Sequence, residues 1–125
     1  MLNAGGRITT PYQSIGALLA SSSNAYGRIQ ELILVNETRK ELSRSAYERA
    51  LTDVDPKAAC VLYVDGTLEH GILGLVAAKL CELFHRPVGV FTRDGDTYVG
   101  SFRAPIGIDL IKILDAASES LLRYG

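Results

Sequence analysis

The chain has 125 residues, 47% of them hydrophobic, and this size and composition are typical of one compact domain with a real core and exclude a disordered protein. With 13 basic and 14 acidic residues its net charge is −1, so no global positive field attracts nucleic acid and any phosphate contact has to be local. The apolar runs at 60–64 and 71–78 are too short to span a membrane, and the N-terminus lacks the pattern of a secretory signal, so we expect a cytoplasmic protein.

Helical patterns fill the first part of the chain after an opening loop. Glycines and threonines predict a loop at 1–10, and the pattern of 12–21 predicts a short helix. Pro56 ends a much longer helical stretch, because proline disfavours helix at the residue before it. Within 25–51 an apolar stripe, interrupted by polar residues, recurs at helical spacing at Ile29, Leu32, Val35 or Asn36, Arg39, Leu42, Ala46 and Ala50. This stripe predicts a long, half-exposed helix of the kind that bridges two domains.

Strands and helices alternate after Pro56. Apolar spacing predicts, in order, a strand, a helix, two strands and a helix at 58–64, 71–84, 87–92, 97–102 and 108–124. We expect the first strand to be buried on both faces, because its apolar run is nearly continuous. Asp94 and Gly95 predict a tight hairpin turn between the second and third strands. The predicted fold class is α/β, with a small mixed sheet preceded by a long helix.

The acidic and histidine residues do not form a pattern of metal ligands. Hydrolysis of phosphodiesters usually requires two cations held by several Asp and His side chains, and the only histidines are His70 and His85. No Walker-type phosphate loop and no dinucleotide-binding fingerprint occurs. The acidic pairs fall in predicted turns, where Asp bonds the local backbone: Asp53 with Asp55, and Asp94 with Asp96. We therefore expect no catalysis by the residues of this chain alone.

A binding site is more plausible at the end of the third predicted strand. Gly100, Ser101 and Arg103 can bring a backbone N–H, a hydroxyl and a guanidinium fork toward one phosphate. A solvent-facing edge strand explains the same residues, and both interpretations remain open at this point. Gly71 and Gly74 present the same choice, because they allow either a close ligand or close helix–strand packing.

Other candidates are weaker. Asn3 and Arg7 flank a glycine pair that could wrap a phosphate, although a frayed terminal loop has the same composition. Tyr98 and Phe102 could stack on bases or pack in the core. The two cysteines fit no ligand spacing, and we expect buried thiols rather than a disulfide at Cys60 and Cys81.

Five segments, taken in order, resemble the RecJ family of the DHH phosphoesterase superfamily. Their sequences are LNAGGR, GILGLVAAKL, RPVGVF, GSFRA and IDLIKILDAASESLLRYG, at 2–7, 71–80, 86–91, 100–104 and 108–125. The resemblance implies three parts: the end of a DHH domain at 1–23, a connecting helix at 24–56, and a DHH-associated, nucleic-acid-binding domain at 57–125.

The resemblance also implies a function. Family members hydrolyse single-stranded DNA from the 5′ end with Mn or Mg, and the Asp/His motifs that hold the metal in the DHH domain are missing from this chain. It is therefore expected to bind no metal and to supply binding rather than cutting. By position, Gly100, Ser101 and Arg103 would hold the nucleic-acid backbone, while Asn3 and Arg7 would lie near the active-site side of the interdomain cleft. Single-stranded DNA is the implied partner, with no membrane contact and an undetermined oligomeric state.

The chain departs from the family pattern at several positions. Leu68 and Glu69 stand where many members have Trp-His, Ala104 replaces a second serine, and Gly125 precedes an expected Gly-His. Two alternative functions remain open. One is another DHH-family phosphodiesterase, of the oligoribonuclease or cyclic-dinucleotide type, and the other is a non-catalytic interaction domain.

Overall fold

The structure, a computed structural model, describes residues 12, 15, 16 and 22–125, with only the backbone of residues 22 and 23. Tyr12, Ile15 and Gly16 are helical, and the rest of the predicted segment 12–21 and the loop at 1–10 lie outside the described residues. The described elements are α1 (Ser22–Asp53), β1 (Val61–Val64), α2 (His70–Phe84), β2 (Val88–Asp94), β3 (Thr97–Arg103), α3 (Leu110–Ala116) and a 3-10 turn (Ser118–Ser120).

The sheet is mixed, with the strand order β1-β2-β3. β1 pairs with β2 in parallel, with Val61 opposite Val88. β2 pairs with β3 in antiparallel fashion, with Val90 opposite Ser101, and Gly95 adopts the positive φ of 60° that the predicted tight turn requires. The α/β fold with a long helix ahead of a small mixed sheet is therefore confirmed.

Helix α2 covers one face of the sheet, where it packs on β2 and β3. The buried residues of this layer are Val61, Tyr63, Val88 and Val90 of the strands and Ile72, Leu73, Val76, Ala77 and Leu80 of the helix. Helix α1 packs on α2 and adds Ala46 and Ala50, both 0% exposed. The C-terminal half of α1 is thus part of the core, while the domain limits at 23 and 56 remain predictions.

A carboxylate at the end of β1 ties α1 to the sheet. Asp65 accepts hydrogen bonds from Nε and Nη2 of Arg49 at 3.1 and 2.8 Å and from the Tyr63 hydroxyl at 3.0 Å. The backbone N–H and the hydroxyl of Thr67 also donate to it, at 2.9 and 2.6 Å. Burial by itself would raise the pKa of Asp65, but these hydrogen bonds outweigh burial and hold the pKa well below its ordinary range.

Strand β1 differs from its prediction. It begins at Val61 rather than at residue 58, because Arg86 Nη1 donates to the carbonyls of Lys57 and Ala58 at 2.5 and 2.6 Å and holds that backbone outside the ladder. Burial on both faces was wrong as well, since Leu62 is 57% exposed. β1 is an edge strand of a sheet with one covered face, and a continuous apolar run does not distinguish this case from a central strand.

The predicted final helix at 108–124 is also too long. The Asp109 side chain accepts a hydrogen bond from the Lys112 backbone N–H and starts α3, which ends at Ala116. Leu114 is the only residue of α3 that is buried. Since helical stability comes mainly from packing, and serine competes for backbone bonds, a 3-10 turn at Ser118–Ser120 replaces the remainder.

The cysteines are both free thiols. Cys81 is buried as expected, but Cys60 is only half-buried and precedes β1. Burial raises the pKa of both thiols. Across residues 12, 15–16 and 22–125, no helix is long and apolar enough to cross a membrane.

Candidate nucleic-acid interface

Ser101 and Arg103 lie side by side on β3. Antiparallel partners share a sheet face, and both residues oppose buried valines of β2, so both lie on the face that α2 covers. Arg103 Nη1 donates to the Ser101 hydroxyl at 3.3 Å and to the Phe102 carbonyl at 2.7 Å. The Arg103 side chain is exposed, so its remaining guanidinium N–H groups are in reach of a ligand.

Gly74 of α2 makes room for this pair. A Cβ at position 74 would lie 3.0 Å from Arg103 Nη2 and 3.2 Å from Ser101 Oγ. Arg103 is also close to Cys81, where its charge partly offsets the burial that raises the thiol pKa. Gly74 therefore allows α2 to pack closely on β3, which is one of its two interpretations. This close packing positions the side chains of Ser101 and Arg103.

Gly100 lies on the opposite face of the sheet. A Cβ there would overlap the ring of Phe91, its partner on β2, and a Cβ on Gly89 would come within 2.7 Å of the ring of Phe102. The two rings pack edge to face, with their centroids 5.3 Å apart and an interplanar angle of 83°. The structure therefore brings Ser101 and Arg103 together but uses Gly100 for aromatic packing.

A groove of about 340 Å³ runs beside β3. Besides Ser101 and Arg103, its lining includes Tyr98, Leu110 of α3 and Arg123 of the segment after the 3-10 turn. Gly100 and the rings of Phe91 and Phe102, from the opposite face of the sheet, also line it. Tyr98 is 61% exposed, whereas Phe102 is half-buried against Phe91, so of the two candidate stacking residues Tyr98 has the accessible ring.

Arg123 is the groove residue that sequence reasoning missed. Its position in the LLRYG end of the last family-like segment was the available signal. The hydroxyl of Tyr124 donates to Asp115 at 2.7 Å, which ties the segment around Arg123 back to α3. Tyr98 alternates with Ser101 and Arg103 along β3, so its ring lies with Gly100 on the sheet face opposite the Ser101–Arg103 pair. The groove follows β3 and has two guanidinium groups and one aromatic ring along its length, a set that suits a phosphate with an attached sugar and base.

The prediction that both acidic pairs lie in turns holds for one residue of each pair, because Asp53 is the last residue of α1 and Asp94 the last residue of β2. Asp55 accepts the backbone N–H of Lys57 at 2.8 Å, and Asp96 lies in the β2–β3 turn. Within the described parts of the chain, no three His, Cys, Asp or Glu side chains come together as a possible metal site, so these residues do not fit a metal centre. Asn3 and Arg7 lie outside the described residues.

Comparisons with known proteins identify similar chains in one family. The single-stranded-DNA-specific exonuclease RecJ of Thermus thermophilus is 27% identical over 125 residues, which cover 99% of this chain and 18% of that protein. The protein of the same name from Escherichia coli is 32% identical over 141 residues, which cover 99% of this chain and 24% of that protein. No protein-family profile matches.

Solved structures of similar fold come from the same group. Thermus thermophilus RecJ in complex with Mg²⁺ superimposes with a TM-score of 0.91 and 27% identity, covering 99% of this chain and 20% of that one. An exonuclease RecJ bound to manganese superimposes with a TM-score of 0.86 and 28% identity, covering 99% of this chain and 31% of that one. The chain spans less than a third of the length of each of these proteins.

Proposed function

We propose that this chain, a RecJ relative in sequence and fold across 99% of its length, supplies nucleic-acid binding to a metal-dependent single-stranded DNA exonuclease of repair and recombination. Cutting, from the 5′ end, would then require Asp and His ligands outside this chain, with Mn or Mg providing the activated water. The proposal is supported by the names of the relatives and by the Mg²⁺ or manganese in the neighbouring structures.

The pairing of Ser101 with Arg103 is the observation that carries the proposal. A guanidinium group forks onto two phosphate oxygens, and a neighbouring hydroxyl donates to a third. The 3.3 Å bond between Arg103 Nη1 and Ser101 Oγ keeps both donors within reach of one phosphate. Arg123 adds positive charge along the same groove. The exposed ring of Tyr98, on the other face of β3, offers a surface for a base further along the strand.

Recognition of this kind is independent of base sequence. Phosphate contacts fix the position and direction of a strand, whereas base identity is read through base edges. An exonuclease that processes arbitrary sequences requires this mode of binding. Asn3 and Arg7 are proposed to contact the strand on the active-site side, and Gly100 contributes by allowing Phe91 and Phe102 to stiffen β3 beneath the groove.

The proposed function has consequences for the parts of the chain and for its location. Residues 1–23 would form the C-terminal end of the DHH domain. Residues 24–56 would connect it to the DHH-associated domain, 57–125, which would bind the DNA strand. DNA repair by a bacterial-type exonuclease takes place in the cytoplasm, and the free thiols of Cys60 and Cys81 are compatible with a reducing compartment.

The test is Arg103→Gln in the full-length protein, measured as single-strand affinity across a salt titration. Each phosphate contact to a single strand adds about 0.7 to the slope of log K against log salt, so the variant should lose roughly that amount. The loss should be similar for oligonucleotides of different base composition. Arg93→Gln is the matched control, because Arg93 is an exposed arginine of the same sheet that donates to the Gly95 carbonyl outside the groove.

Equal binding and degradation by Arg103→Gln and the parent at every salt concentration would make Arg103 an ordinary surface residue. A ribo-oligonucleotide of the same length, assayed in parallel, separates the DNA exonuclease from the oligoribonuclease alternative. If Arg103→Gln weakens binding of the DNA and the RNA oligonucleotide by the same factor, the preference of the protein for one of them is unchanged. That result fits phosphate recognition by Arg103, because the 2′-hydroxyl is then read by other residues.

A further inference from the structure

A second groove lies between α1 and α2. Its volume is about 320 Å³. Arg39, Lys40 and Ser43 line it from α1, and Leu75, Ala78 and Lys79 from α2. It lies on a different flank of α2 from the Ser101–Arg103 pair, because Gly74 faces β3 whereas Leu75, about 100° further round the helix, lines this groove.

Two polar groups are buried in this groove without a hydrogen-bond partner. Ser43 is only 4% exposed, and its hydroxyl makes no hydrogen bond within residues 22–125 or with the three described residues before them. The same holds for the Nε–H of Arg39, one helical turn earlier. Buried hydroxyls and guanidinium N–H groups are nearly always paired, and a helical serine often bonds the carbonyl four residues back. Ser43 makes no such bond, so its hydroxyl is an unpaired donor buried at the inner wall of the groove, which a ligand reaches after a small shift of the neighbouring side chains.

The charge of the groove selects an anion. Arg39, Lys40 and Lys79 contribute three cationic groups, and Glu82 is the one acid among the lining residues. The Lys40 ammonium pairs with exposed Glu37 at 2.8 Å, and that of Lys79 lies 5.6 Å from the centroid of the Tyr47 ring. Both are flexible ammonium groups at the rim, so they can turn toward an anion bound at the Ser43 hydroxyl.

The number and kind of donors point to phosphate. A hydroxyl and a guanidinium N–H from α1 and one ammonium group from each helix line the groove, and this number of donors matches the several oxygens of a tetrahedral anion better than the planar pair of a carboxylate. Leu75 and Ala78 form an apolar wall, which suits the sugar or base attached to a phosphate. The volume of about 320 Å³ is at the lower end of the range for small-molecule sites.

We propose that the groove between α1 and α2 is a phosphate-binding site for a nucleotide or a nucleic-acid strand, with Ser43 and Arg39 as its central donors. The proposal does not depend on the Ser101–Arg103 groove. The shared chemistry is a phosphate group, which a free phosphate, a mononucleotide or a strand can supply. The experiment below distinguishes these sources.

The test is an NMR titration of the chain at low ionic strength with three probes: inorganic phosphate, thymidine 5′-monophosphate and a thymidine hexanucleotide. We expect saturable shifts of the Ser43 and Lys79 amide signals with each probe. Tighter binding of the hexanucleotide than of the monophosphate assigns the site to a strand, and equal binding assigns it to a single phosphate group. The amides of Ser101 and Arg103 report the other groove in the same spectra.

The variants Ser43→Ala and Arg39→Gln should each weaken phosphate binding at Ser43 and Lys79 by about tenfold, because each removes one hydrogen bond to a charged group. Arg44→Gln is the matched control, since Arg44 is an exposed arginine of the same helix that pairs with Glu41 and Glu48. Ser43→Ala keeps a good helix former and removes an unpaired buried hydroxyl, so without phosphate its melting temperature should equal or exceed that of the parent.

By mass action on the folded state, phosphate should raise the melting temperature of the parent and of Arg44→Gln, and raise that of Ser43→Ala less at the same phosphate concentration. The proposal is overturned if no probe shifts the Ser43 and Lys79 signals, or if Ser43→Ala and Arg39→Gln bind phosphate there as the parent does. Shifts confined to Ser101 and Arg103 would overturn this proposal and leave the proposed function intact. Shifts confined to Ser43 and Lys79 would support this proposal and count against phosphate binding by Ser101 and Arg103.

Discussion

At the scale of single residues, Asp65 connects parts of the chain that are separate in sequence. Its carboxylate is only 13% exposed and pairs with Arg49, which lies 16 residues earlier on α1. The Asp-Gly dipeptide after an apolar run was recognisable as a turn, and Asp65 does bond the Thr67 backbone as a turn residue. Its partner on α1 was not recognisable, because the pairing depends on how the helix is rotated against the sheet.

Asp65→Asn should lower the free energy of unfolding at pH 7 by about 1–3 kcal/mol, since Arg49 and Tyr63 then donate to a neutral group. The pKa of Asp65 is lowered in the folded protein from an ordinary value of 3.8, so its stabilisation is complete above that pH and is lost as the pH falls below it. Urea unfolding of the parent should therefore show a steeper loss of stability between about pH 5 and pH 2 than unfolding of the variant. Asp96→Asn, in the exposed hairpin turn, is the control. Parallel curves for parent and Asp65→Asn would contradict the assignment.

At the scale of elements, the β2–β3 hairpin has glycines opposite aromatic rings. Gly89 faces Phe102 and Gly100 faces Phe91 in the register, and each ring lies over the glycine of the other strand. Aromatic rings that cover cross-strand glycines compensate for the packing that glycine lacks. The edge strand β3 is thereby held on β2 through its exposed face as well as through its backbone bonds.

Gly100→Ala should destabilise the protein by about 1–3 kcal/mol, because the new methyl group has to displace the Phe91 ring. Gly27→Ala is the matched comparison. A Cβ there meets nothing within 4 Å, so the same change in α1 should stabilise by up to about 1 kcal/mol. Both effects are measurable by urea unfolding. In a Phe91→Leu background, Gly100→Ala should lower the free energy of unfolding by less than in the parent. An equal loss in both backgrounds would show that the contact with Phe91 is not the cause.

The elements with a strong local signal were predictable. The stripe of α1, the helical spacing of α2 and the Asp-Gly turn each follow from the local sequence, and β3 brings Ser101 and Arg103 to one face because strand residues alternate. The same alternation indicates that Gly100 belongs to the other face, although the motif suggests a single cradle. β1 and α3 were mispredicted because their extent depends on which faces are covered, and apolar residues alone do not specify the covering element.

The groove between α1 and α2 was not predictable for a related reason. A polar residue at position 43, next to the apolar stripe of a long helix, is an ordinary feature of a half-exposed helix. Only the packing of α1 on α2 shows that Ser43 is buried and faces Leu75 and Lys79 across a gap. Contacts between helices that are distant in sequence depend on their relative rotation, which periodicity does not specify.

At the scale of the whole molecule, we predict that the chain by itself does not cut nucleic acid. Residues 1–21 contain no Asp, Glu, His or Cys, and the described remainder contains no cluster of three such side chains. Single-stranded DNA incubated with the chain and Mn²⁺ or Mg²⁺ should therefore show no hydrolysis above a buffer control, because no side chains hold an activating metal. Metal-dependent cleavage that Asp94→Asn and Asp96→Asn abolish would contradict both this prediction and the structural role of these residues at the β2–β3 hairpin.

The attachment of α1 to the sheet has a mechanical consequence. Ala46, Ala50 and the Arg49–Asp65 pair fix the C-terminal part of the helix. At a rise of 1.5 Å per residue, the first turn at Ser22 lies about 36 Å from Ala46. A tilt of about 5° at the fixed end therefore moves that turn by about 3 Å, the length of a hydrogen bond. Because the helix is attached only near its C-terminal end, slight repacking around Ala46, Ala50 and Asp65 produces a displacement at Ser22 large enough to make or break contacts there.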